Sequence, residues 1–177
     1  MKKPSPLISI GIQWGALAGT LTIVLVIAMY YIGRHPLMVS PFMDFRILLY
    51  GVCIFFSLKE LRDGHQKGAL FFWQGMVGSF IMIVVAATFA SILLMVFCSI
   101  ESSFIPAYVT AMTEYLKGFP TEDIARIGKD VYQRNLDQLP ATNSKQIASL
   151  YFMQSLMIGF FVSIILSVIL RKEPKPE

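Results

Sequence analysis

A chain of 177 residues that is 55% hydrophobic and only 15% charged has too few charges to cover a water-facing surface, because soluble domains carry about 25%. A mean hydropathy of +0.64, with the apolar residues gathered into long blocks, points instead to an integral membrane protein and excludes a disulfide-stapled secreted domain or a disordered tail. The net charge of +4 comes from basic residues that flank apolar blocks, which argues for orientation in a membrane and not for nucleic-acid binding.

Four apolar blocks follow one another, each to be judged against the ~20 residues needed to cross a bilayer. The first covers 8–33, after Lys2 and Lys3 and before Arg34-His35-Pro36. A signal peptide is the rival reading, but its apolar core would be shorter and followed by a small-residue cleavage site. The second covers 40–61, with Ser40 as N-cap and Pro41 at the first helical position. Asp44 and Arg46 fall in its opening turns. A charge at mid-membrane is costly, so both are expected at the interface. The clean apolar run from Ile47 to Leu58 is short, so this block must recruit those turns to span; the alternative is a re-entrant or tilted segment. A basic turn over 59–68 leads to the third block, 69–98, where Trp73 is placed as an interfacial anchor.

Residues 99–146 form the one sizeable polar stretch and hold Glu101, Glu114, Glu122, Asp123, Asp130 and Asp137. Two short amphipathic helices are expected there. The first starts at Pro106, ends at Gly118 and gathers Tyr108, Val109, Met112, Tyr115 and Leu116 on one face. The second is capped by Thr121 and runs to Pro140 with Ile124, Ile127, Val131 and Leu136 in helical spacing. Such pieces lie on the membrane surface or cap the spans; a ligand lid is the other reading. The fourth block covers 147–170. Asn143 and Gln146 resemble a capping box before it, and a disordered tail is expected from Glu173 onward. With both termini in the cytoplasm, Lys2, Lys3, Lys59, Arg62, Lys67, Arg171, Lys172 and Lys175 all lie inside, as the positive-inside rule favours.

Small residues recur at four-residue steps: Gly11, Gly15 and Gly19 in the first block, and Ser155, Gly159, Ser163 and Ser167 in the fourth. Such stripes let membrane helices approach closely, within one chain or between subunits. Gln13, Gln74 and Gln154 are the polar side chains inside the spans, read as hydrogen bonds between helices or as the lining of a polar path. Cys53 and Cys98 read as buried small hydrophobes. His35 and His65 lie at opposite ends of their blocks, and no metal or cofactor is expected. No protease, phosphate-loop or dinucleotide signature is present. A head-group enzyme would rest on Arg62, Asp63, His65 and Lys67 alone.

The stretch Lys59-x-x-Arg62-Asp63, then Gly68, Phe72 and Gln74 before Gly75 and Gly78, resembles the domain-of-unknown-function 4199 family, chiefly of Bacteroidota. Phe104-Ile105-Pro106 and the ending Ile169-Leu170-Arg171-Lys172 agree with it. The resemblance implies a small inner-membrane protein of about four spans with a long third loop, and it supplies no catalytic residues. This chain departs from the family's usual charge-dense third loop by mixing its charges with Tyr, Met and Ile. The expectation is therefore an all-α membrane protein of the bacterial inner membrane: a single domain over 1–177, with four spans and an outward loop at 99–146. It would be a non-enzymatic accessory or structural component that binds lipid and a membrane-protein partner or a second copy. The alternative is an oligomeric transporter or channel subunit for a small solute or lipid.

Overall fold

The computed structural model describes residues 5–173, the side chain of Pro41 excepted. Lys2, Lys3 and Lys175, three of the basic residues used for orientation, and the tail beyond Glu173 lie outside them. The protein is all-α, and among the described residues no strand forms. Helix α1 spans Pro6–Tyr31 and begins with proline at a position where a missing N–H costs nothing. Helix α2 spans Phe45–Glu60, α3 spans Phe72–Ile100 and α7 spans Ser144–Leu170. Between α3 and α7 lie α4 (Phe104–Lys117), α5 (Thr121–Ile127) and α6 (Lys129–Gln138).

Three helices, α1, α3 and α7, are long and apolar enough to cross a membrane. Their outer flanks expose Leu17, Val24, Ile92, Val96, Met157 and Ile165, a surface suited to lipid. Helix α2 departs from expectation. Ser40 and Pro41 do not open it; they start a separate 3-10 turn, Pro41–Met43, preceded by another at Pro36–Met38. The helix proper begins only at Phe45, because Asp44 stays extended and caps it. Its 16 residues make about 24 Å, short of a ~30 Å hydrocarbon layer.

Helix α3 is the central element and packs on α1 along one flank and on α7 along another, while α2 rests on α7 and α1. Two apolar clusters stack along the helix axes. One, toward the start of α1, is built on Ile10, Ile54, Leu58, Met82 and Ile83. The other, toward the end of α1, is built on Val26, Leu94, Phe104, Ile147 and Tyr151.

The basic turn continues α2 as a π-helical turn over Leu61–His65. It then reverses through Lys67 and Gly68, both at positive φ (52° and 84°). An isolated antiparallel bridge, with Leu70 and Lys172 exchanging N–H···O bonds of 2.8 and 2.9 Å, ties the end of α7 to this turn. The start of α1 lies there too, with Leu7 beside Gly78. Lys59, Arg62, Lys67, Arg171 and Lys172 therefore gather at one end of the molecule.

At the opposite end, α4 starts two residues before Pro106, and Gly118 ends it. The second expected loop helix is two helices, broken at Gly128, whose φ of 95° a residue with a side chain rarely adopts. Helix α4 seats Phe104 and Tyr108 in the core, whereas α5 and α6 bury no side chain fully. Asn143 and Gln146 cap α7 reciprocally, at 3.1 and 2.9 Å.

Candidate functional site

The most polar place in the interior lies where α2 meets α7. Arg46 and Asp44, expected near the membrane interface, are buried within the protein, only 2% and 6% exposed. Two residues apart on a helix would not face each other. Asp44 escapes that rule because, as N-cap, it lies outside the helix and folds its carboxylate back. It accepts the Arg46 backbone N–H at 2.9 Å and Nε at 2.9 Å, and a second oxygen accepts Nη2. The pair therefore begins as a helix cap and becomes a two-pronged salt bridge.

The other side of the guanidinium is met by α7. Nη1 donates to Ser155 Oγ at 2.8 Å and to the Tyr151 carbonyl at 3.4 Å, and Nη2 donates to Gln154 Oε1 at 3.1 Å. The Tyr151 ring lies under the charge, 4.3 Å from Cζ to centroid, a cation–π arrangement. All five guanidinium N–H groups are thereby occupied. Around them, the hydroxyls of Tyr50, Tyr151 and Thr22 are buried without a hydrogen-bond partner. A small pocket of about 100 Å³ reaches the group between Val39, Met157 and Ile158. The saturated arginine and doubly engaged carboxylate suit an anchor holding α2 to α7 better than a centre that trades protons or substrate.

The remaining sequence candidates are scattered. Gln13 is exposed on α1. Gln74 turns back on its own helix and accepts the Phe71 N–H at 3.1 Å. Only Gln154 reaches another helix, so the three do not line one path. Arg62 and Asp63 pair side by side on the exposed π turn, at 2.7 and 3.2 Å. The hydrogen bond from Arg62 holds the Asp63 carboxyl below its ordinary range. His65 and Lys67 are exposed nearby. This group and Arg46 stand 16 residues apart in sequence, about 24 Å if helical throughout.

Of the small-residue stripes, Gly11, Gly15 and Gly19 on α1 and Gly159 and Ser167 on α7 face α3, whereas Ser155 turns to Arg46 of α2. A Cβ on Gly15 would fall 2.7 Å from the Met82 carbonyl oxygen and 2.7 Å from Val85 Cβ; on Gly19 it would fall 2.9 Å from the Ala86 oxygen, and on Gly11 2.9 Å from Ile81 Cγ2. On α7, a Cβ on Gly159 would fall 2.5 Å from Ile83 Cγ2, and across the same seam a Cβ on Gly75 of α3 would fall 3.0 Å from Ser167 Oγ. Ser163 Oγ bonds back to the Gly159 carbonyl at 2.8 Å. These close approaches are made within one chain.

A family model described as "Protein of unknown function (DUF4199)" matches residues 13–172. The chain belongs to this family. No curated protein and no solved structure matches it. Several positions that carry the DUF4199 resemblance have structural work here. Gly68 takes the positive φ of the corner, Gln74 caps α3, and Gly75 and Gly78 admit Ser167 and Leu58 against α3. Phe104 is fully buried and lies 4.6 Å, ring to ring, from His35.

Sequence reasoning missed His35 and Tyr151 as organising residues. His35 sits under α4: Nε2 lies 3.3 Å from the Phe104 carbonyl, and Nδ1 accepts the Leu37 N–H at 3.4 Å. Burial lowers its pKa, offset in part by that carbonyl. One signal could have found the Arg46 site. Tyr151, Gln154 and Ser155 stand at i, i+3 and i+4 on α7, a single polar face that a buried arginine requires.

Proposed function

We propose that this DUF4199 protein is a non-enzymatic component of the bacterial inner membrane, with both termini in the cytoplasm. In this reading α2 completes a fourth crossing with the help of the two 3-10 turns before it. The outward helices α4–α6 form an amphipathic cap for a partner protein or a second copy. The observation that carries the reading is how the interior is filled. The α1–α3 and α3–α7 seams leave no room for a Cβ at Gly15, which faces the Met82 carbonyl, or at Gly159, which faces the Ile83 side chain. Among the described residues, the buried charged pair Asp44 and Arg46 is spent on holding α2. The cap keeps Tyr115, Ile127 and Val131 exposed.

Capture from gently solubilised membranes at native expression tests this. A reproducible stoichiometric partner or self-complex is expected, and a clean monomer with none would overturn it. The second reading, an oligomeric transporter or channel subunit, draws on the pocket beside Asp44, Arg46 and Gln154. It requires solute flux into reconstituted liposomes that Gln154→Leu reduces.

A further inference from the structure

The basic end of the molecule combines a lateral apolar groove with unpaired cations. The groove, about 520 Å³, runs between the start of α1 and the start of α3, and its volume lies within the ~300–1,000 Å³ range of small-molecule sites. Leu7 and Ile8 form one wall, and Val77 and Ile81 the other. Trp73 lines it and is 60% exposed, so the groove opens sideways on the flank that faces lipid, not toward water at the end of the helices.

The mouth of the groove is polar. Gln66 lines it, and its Oε1 is buried without a hydrogen-bond partner. The next residue, Lys67, is held in the left-handed region at φ 52°, a conformation uncommon for a residue with a side chain. The Gly68 N–H, donating to the Arg62 carbonyl at 2.9 Å, fastens this corner, and Lys67, the residue after the groove-lining Gln66, is exposed. Among the described residues, Arg62 and Arg171 are neutralised by Asp63 and Glu173, whereas Lys59, Lys67 and Lys172 form no ion pair. Glu60 is engaged by the Trp14 N–H at 2.8 Å. Lys67, next in sequence to the lining residue Gln66, therefore brings an unpaired positive charge to the end of the molecule where the slot lies, near an acceptor that lacks a donor.

We propose that this groove holds one acyl chain of an anionic, hydroxyl-bearing phospholipid from the adjoining leaflet. The phosphate meets Lys67, and a head-group hydroxyl donates to Gln66 Oε1. Charge complementarity and the sideways apolar slot select the occupant: an acyl chain fits the slot from the bilayer, an anionic head group is matched by Lys67, and a zwitterionic head group offers no net charge to it. The inference rests on the chain crossing a membrane and is independent of any accessory role.

Trp73 reports on the groove. In full-length Trp14→Phe protein it is the single tryptophan. This protein is reconstituted into phosphatidylcholine vesicles that contain increasing fractions of phosphatidylglycerol or phosphatidylcholine with brominated chains. At equal low mole fraction the brominated phosphatidylglycerol is expected to quench Trp73 more. One lysine at the head group is expected to contribute a roughly fivefold preference, and Lys67→Gln should remove it. Native mass spectrometry of the wild type from mixed micelles should show phosphatidylglycerol retained in preference to phosphatidylcholine, and this covers the case in which Trp14→Phe folds poorly. Equal quenching by the two lipids overturns the proposal, as does a preference that Lys67→Gln leaves intact. Failure of the chain to float with the vesicles overturns the membrane reading, and this inference with it.

Discussion

Helix α7 is held in two different ways by its two neighbours. Against α3 it presents Gly159, Ser163 and Ser167, and the helices approach until a single added methyl would collide. Against α2 it presents Tyr151, Gln154 and Ser155, and the contact is a charged group with every donor occupied. The first contact works by removing side chains, so dispersion acts over short distances. The second works by supplying polar partners to a group that could not otherwise leave water. The difference follows helix length. Helix α3, with 29 residues, offers a long continuous face to pack. Helix α2, with 16, offers little more than half of that, and the directional bonds of Arg46 fix its height and rotation.

The comparison breaks most sharply at the ion pair. Arg46→Met leaves the Asp44 carboxylate buried without its partner, and such a loss typically costs about 3–5 kcal/mol. The expected result is a large fall in the thermal midpoint of the detergent-solubilised protein. Replacing both members, Asp44→Asn with Arg46→Met, should recover much of that loss, because no uncompensated charge then remains. A double variant no more stable than Arg46→Met alone would place the loss in the missing bonds from Arg46 to α7 and not in a stranded carboxylate, and an Arg46→Met that costs little would mean that α2 is held by its apolar contacts.

The glycine seams should respond less, and in two distinguishable ways. Gly15→Ala drives a methyl against the Met82 backbone oxygen, which cannot step aside. Gly159→Ala meets only side-chain atoms of Ile83. Each overpacking is expected to cost about 1–3 kcal/mol. Adding Ile83→Ala should restore part of the stability lost in Gly159→Ala, while Val85→Ala should restore little in Gly15→Ala. Thermal melting of the four variants decides the matter, and rescue of both seams would show that the α1–α3 contact is as yielding as the α3–α7 one.

What could be read in advance follows the same division. The α1 and α7 stripes are periodic, so their faces were visible as four-residue spacing before any coordinates. The capping pair Asn143 and Gln146 was local and also visible. The Arg46 site was hidden because its partners come from residues more than a hundred positions away. Its carboxylate is available only because Asp44 stays out of the helix, a half-turn distinction that propensity does not resolve. The three glutamines looked alike in sequence. They diverge because helix rotation sends Gln13 outward and Gln74 back to its own backbone, and only Gln154 toward a neighbour. Gly128 was passed over as a breaker because the apolar spacing of Ile124, Ile127 and Val131 continues across it.

The smallest expected effect lies at the end opposite the basic turn, where a cap of helices meets the long helices and neither seam nor ion pair operates. His35 joins them as a neutral ring. Nε2 donates to the Phe104 carbonyl, and Nδ1 accepts from Leu37, so protonation would put a hydrogen where Nδ1 already receives one. The aromatic rings that meet it are those of Tyr30 from α1 and of Phe104 and Tyr108 from α4. Burial lowers the folded pKa below the ordinary value of 6.5, so the undocked state binds the proton first. The docking contribution is therefore fully present above pH 6.5 and is lost as pH falls through the lower, folded value. Hydrogen exchange of the α4 amides, corrected for intrinsic rates, should show constant protection above that pH and declining protection below it. In His35→Phe, which keeps a ring against Phe104 but cannot titrate, the decline should vanish. If the decline persists in that variant, the pH response belongs to a carboxylate of the cap and His35 contributes packing alone.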